Sequence, residues 1–168
     1  MPMKKSSAPV FALAFALILS GVALANPGSS ANQTVGFEVG PIAELSVSGN
    51  PGLLNVHTAT AGEQPDPATD TSTTYAVTSN LSRARILASL DANMPSHVEL
   101  DLHLDGAGVG FSFGWVPLSE FGQTVLWDIE PVASGGHEID YRLLAAADAS
   151  VIFDGSRTVT LTLVNEFE

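Results

Sequence analysis

The chain has 168 residues, no cysteine, 18 acidic residues against 6 lysines and arginines, and a formal net charge of -12. That charge repels nucleic acid and anionic lipid headgroups, which argues against a phosphate-binding role. The missing cysteine excludes lipoprotein anchoring, disulfide stapling and thiol catalysis, so stability has to come from burial and strand pairing.

Residues 1–25 read as a secretory signal peptide. Lys4 and Lys5 form a basic start, Val10 to Leu19 is almost wholly apolar, and Ala23, Leu24 and Ala25 supply the small residues around a cleavage site. The apolar stretch is short for a membrane span, and Ser20 and Gly21 interrupt it, so no membrane insertion is expected after cleavage. Cleavage removes the only two lysines and takes the net charge from -12 to -14. The predicted location is outside the cytoplasm: secreted and extracellular, or periplasmic and at the cell surface.

Residues 26–32 contain no large apolar side chain and are expected to form a flexible leader. From Gln33 onward the apolar residues fall on alternate positions between Gly, Pro, Asn and Asp, the pattern of strands and turns. Val35, Phe37 and Val39 make the first row, Leu45 and Val47 the second, and Leu53, Leu54 and Val56 a third. Ala59 to Thr73 is polar and holds Pro65 and Pro67, which predicts a long surface loop; its Glu63, Asp66 and Asp70 lack the regular spacing of a calcium loop.

Tyr75 and Val77 resume the alternation, followed by Ile86, Ala88 and Leu90 within Ala84 to Leu90. The clearest strand comes next. Val98, Leu100, Leu102 and Leu104 share one face, and His97, Glu99, Asp101, His103 and Asp105 share the other. Gly106 to Gly110 is a permissive turn without the lysine of a nucleotide loop. Phe111, Phe113 and Trp115 form an aromatic row, Val125, Trp127 and Ile129 another, and Ile139, Tyr141 and Leu143 follow a break at Gly135 and Gly136. Leu143 to Asp148 is the one candidate helical turn. Val159, Leu161 and Leu163 close the chain with threonines between them. About nine or ten strands at this spacing predict an all-β antiparallel sandwich, Ig-like or jelly-roll-like, in a single domain over residues 33–168.

The ionisable row offers the best metal candidate. Asp101, His103 and Asp105 project to one side at steps of roughly 7 Å, whereas His97 and His103 lie about 20 Å apart and cannot share an ion unaided. The competing expectation is a solvated outer face. No serine sits in a nucleophile turn and nothing singles out a carboxylate pair, so no catalytic residue and no enzymatic activity is expected. No cofactor is predicted, calcium being the sole candidate. In-phase placement assigns Phe111, Phe113, Trp115, Trp127 and Tyr141 to the core in preference to a sugar-stacking platform. Asn32 and Asn80 each begin a glycosylation triplet.

Taken together, the signal peptide, Gln33 to Val39, Leu45 to Gly49, Tyr75 to Asn80, Met94 and Pro95, and the closing Arg157 to Leu163 resemble small secreted β-sandwich proteins, among them fimbrial and biofilm-fibre subunits of bacteria and archaea. The resemblance implies a structural or adhesive subunit whose partners are itself or related subunits. It also implies a mechanism, in which an N-terminal strand of one molecule completes the sheet of the next, here through Val35, Phe37 and Val39. Read from the residues alone, Gln33 to Val39 also suits an ordinary first strand pairing within its own sandwich. The alternative role is a monomeric extracellular module that binds carbohydrate, such as surface glycans, or calcium.

Overall fold

The computed structural model describes residues 29–166. The signal segment and the first residues of the leader lie outside the described residues. The chain divides at Phe37, and the unit that follows runs from Glu38 to Glu168. Among the described residues there is no helix, hence none long and apolar enough to cross a membrane.

Among the described residues nine strands form two antiparallel sheets, a β-sandwich. They are β1 (Ala43–Val47), β2 (Ala68–Ser79), β3 (Ala84–Leu90), β4 (Val98–Leu104), β5 (Phe111–Ser112), β6 (Val116–Pro117), β7 (Gln123–Ile129), β8 (Val132–Ala145) and β9 (Val159–Asn165). The first sheet has the order β1-β2-β8-β4-β6 and the second β5-β7-β3-β9. Period-two alternation explains the layering. In β3 the residues Ala84, Ile86, Ala88 and Leu90 are buried while those between them are half-exposed, and Leu100, Leu102 and Leu104 of β4 meet them from the facing sheet. Tyr75 is wholly buried and donates its hydroxyl to the carbonyl of Asp105 at 2.5 Å, so its polar end is satisfied inside the core. That burial, with the Asp105 charge beside it, pushes the Tyr75 hydroxyl well above the usual phenol range.

The structure corrects five expectations. Gln33 to Val39 lies outside every strand, so it is not a first strand paired within its own sandwich. Leu53 to Val56 is also irregular, and Leu53 is almost fully exposed. The polar loop is shorter than predicted, because β2 begins at Ala68 and pairs with β8 from there. The glycine break inside β8 is absorbed: Gly136, at φ 79°, is the extra residue between the pairs Tyr75–His137 and Ala76–Gly135, a bulge that keeps the strand continuous. Leu143 to Ala145 belongs to β8, and only a hydrogen-bonded turn from Ala146 to Ala149 follows.

Candidate functional site

Four parts of the molecule gather the chemistry-bearing residues: the segment before β1, the lateral edge at β1 and β9, the opposite lateral edge, and the outer face of β4 and β8.

Val35, Phe37 and Val39 are 72%, 93% and 76% exposed. Alternate apolar side chains on an extended chain normally mark a strand with one buried face, and here that face is uncovered. Just after them the chain is clamped. Asn80 Oδ1 accepts from the Ile42 amide at 2.7 Å, Asn80 Nδ2 donates to the Gly40 carbonyl at 2.8 Å, and the Asn80 amide donates to the Ile42 carbonyl at 3.2 Å. The second glycosylation triplet therefore has its asparagine committed to this clamp.

Beside the clamp the sandwich is open. β1 ends one sheet and β9 ends the other, and a groove of about 580 Å³ lies between them, lined by residues including Pro41, Ile42, Leu81 and Leu163. The inward row of β9, Val159, Leu161 and Leu163, is partly buried against the core.

The opposite lateral edge is closed. There the chain leaves the second sheet at β5 and enters the first at β6, crossing through Phe113, Gly114 and Trp115. Gly114 sits at φ 74°, a turn conformation that favours glycine. The aromatic side chains of this crossing point outward, which overturns the expectation that they form core. Phe111 is 60% exposed and Phe113 57%; Trp127 is 37% exposed, with ring centroids 5.5 Å from Phe111 and 6.3 Å from Phe113. Of the five predicted core aromatics only Tyr141 is buried. The cause lies in β7, whose register against β3 shifts twice, between the pairs Ala84–Ile129, Ile86–Leu126 and Leu87–Thr124. Val125 and Leu126 both become buried, Asp128 takes φ 55°, and Trp127 turns to the outside.

On the outer face of β4 the predicted metal residues separate. Asp101 is 2% exposed and accepts from Arg142 Nε at 3.0 Å and Nη2 at 2.5 Å, across the ladder pair Asp101–Arg142. His103 Nδ1 meets Asp140 Oδ2 at 2.8 Å, again a direct cross-strand pair, and Asp105 lies 3.9 Å from His137. Each of the three thus has its own partner. Among the described residues no three His, Asp or Glu side chains gather into a group able to hold a metal ion.

Sequence reasoning missed Arg142 and Trp115 as members of this face. The Arg142 guanidinium lies 4.5 Å above the Trp115 ring, whose other neighbour is His103 at 5.7 Å between centroids. The signal was present in the alternation: Glu138, Asp140 and Arg142 share a parity on β8, and Arg142 is the one cation on that row. Glu99 lies on the same face as Asp101. Its carboxyl is pushed above the ordinary carboxylate range, first by its hydrogen bond with Asp101, then by burial and by the Asp101 charge, with Arg142 opposing.

The loop acids serve locally. Asp70 accepts from the Ser72 hydroxyl at 2.7 Å and from the amides of Ser72 and Gly52 at 3.1 Å, which holds its carboxyl below the usual range and ties the Gly52 turn to β2.

No family model matches the chain, and no curated protein matches it.

Proposed function

We propose that this protein is a secreted, non-enzymatic structural or adhesive subunit that associates with copies of itself by strand addition, in the manner of the fimbrial and biofilm-fibre subunits it resembles. One observation carries the reading: an alternating row of Val35, Phe37 and Val39, exposed and outside every ladder, in a chain whose sandwich ends on the unpaired sides of β1 and β9. Strand addition would satisfy both, since main-chain hydrogen bonds complete the edge while alternate side chains leave water. Burying each side chain of that row contributes about 1.5–3 kcal/mol.

The test is the mass of the purified chain from Asn26 onward. High-mass assemblies that survive mild detergent are expected, and they disappear when residues 26–39 are deleted from a protein whose circular dichroism remains that of a folded sheet. A monodisperse monomer at high concentration overturns the proposal.

A second reading is favoured by the outward Phe111, Phe113 and Trp127: a module that binds surface glycans by stacking on the closed edge. A glycan array supports it if binding is lost in Trp127→Ala, and a blank array overturns it.

A further inference from the structure

We infer that the acceptor in this self-association is the side of β9 (Val159–Asn165) that faces away from β3, along Val159 to Leu163, and that it takes Gln33 to Val39 of a second copy, entering at the groove beside Leu81 and Leu163. The inference rests on the strand-addition reading above and adds the place where the strand is received.

The four sheet edges differ in how they resist pairing. Edges are normally blunted by short length, charge or proline. β5 and β6 have two residues each, and β6 contains Pro117. β1 has five residues and carries the charged Glu44 as its second. β9 alone has seven residues without charge, proline or glycine, and its exposed positions hold only Thr160 and Thr162. It pairs with β3 on one side, and the sheet order places no described strand on the other.

Length and pattern also match. Seven residues of extended chain span about 23 Å, the length of β9 itself and of Gln33 to Val39. The segment's row at 35, 37 and 39 has the same period as the partly buried row at 159, 161 and 163, so one register lays apolar beside apolar along the whole edge. The groove lined by Ile42, Leu81 and Leu163 is where an incoming apolar row would find uncovered side chains. The only charge in the segment, Glu38, falls on the opposite parity and stays in water with the threonines.

The absence of cysteine makes the test direct. Copies carrying Glu38→Cys are mixed with differently tagged copies carrying Thr160→Cys, Thr162→Cys or Glu44→Cys, and oxidised. All four positions are exposed, so folding is undisturbed. A mixed-tag disulfide dimer is expected with Thr160→Cys or Thr162→Cys, at least about tenfold more abundant than with Glu44→Cys. Preferential cross-linking to Glu44→Cys overturns the β9 assignment, as does the absence of any cross-link while high-mass assemblies persist; both leave strand addition standing. If no assemblies form, strand addition itself fails. As a second measurement, the double variant Thr160→Lys, Thr162→Lys is expected to abolish assemblies while leaving the urea midpoint unchanged. Assemblies that survive both lysines overturn the assignment.

Discussion

The two lateral edges of this sandwich are made from opposite materials. At one, the crossing from β5 through Gly114 to β6 ties the sheets together covalently, and Phe111, Phe113 and Trp127 lie on its outside. At the other, β1 and β9 face each other across a groove, and the apolar row nearest in sequence stays in solvent. Exposed apolar surface thus has two meanings in one molecule. On the closed edge Phe111 and Phe113 pack on Trp127, and the two sheet edges are strands of only two residues each, which leaves little edge to extend. On the open edge β1 and β9 each end a sheet, and the row at Val35, Phe37 and Val39 is exposed, which is the condition for adding a strand.

If the comparison is right, changes at the closed side act on folding and leave assembly alone. The largest effect is expected at the outer face that abuts it. Arg142→Met strips the buried Asp101 of its cation and should cost about 3 kcal/mol in urea unfolding, whereas Asp101→Leu combined with Arg142→Met should recover most of that loss. Next comes Gly114→Ala. A methyl there meets no atom within 4 Å, so the expected loss of about 1–2 kcal/mol is backbone strain alone, read from the same unfolding curves. Trp127→Ala should cost about 1 kcal/mol by removing two ring contacts. Should any of these three variants abolish high-mass assemblies while still folded, the division of labour between the edges is wrong.

The smallest effect is a pH dependence. The Glu99 carboxyl is raised in the folded protein, so it binds its proton more tightly there than in the unfolded chain. Its contribution is therefore complete below the ordinary carboxylate value and is lost as pH rises through the raised one. Urea midpoints of the natural protein and Glu99→Gln, compared between about pH 3 and pH 7, should diverge with the natural protein losing ground as pH rises. Parallel curves sink this account of Glu99.

The elements with clean alternation were legible from sequence: Ala84 to Leu90 matches β3 end to end, and the two-faced strand read from His97 to Asp105 contains β4 with one residue over at each end. What escaped depended on partners distant in the chain. The polar start of β2 becomes strand because β8 is there to pair with it, and its threonines are β-branched residues that suit an extended chain. Trp127 turned outward because a bulge depends on the register against β3, which no local window contains. The same holds for the ionisable row. Its parity was readable, but the partners that divide Asp101, His103 and Asp105 among Arg142, Asp140 and His137 all come from β8. Conversely, Val35, Phe37 and Val39 carry the signature of a strand and form none among the described residues, which makes the mismatch itself informative.

The Asn80 clamp decides how the molecule would carry load. A pull on the segment before Gly40 first meets the side-chain bonds to Gly40 and Ile42, then β1, whose five ladder pairs with β2 run from Ala43–Ser79 to Val47–Tyr75. A pull directed along β1 would stress those pairs in shear, all together, and would not open them one at a time like a zip. A chain of such units linked through their leading segments would resist stretching at every joint, with a sandwich free of disulfides bearing the tension through its hydrogen-bonded strands.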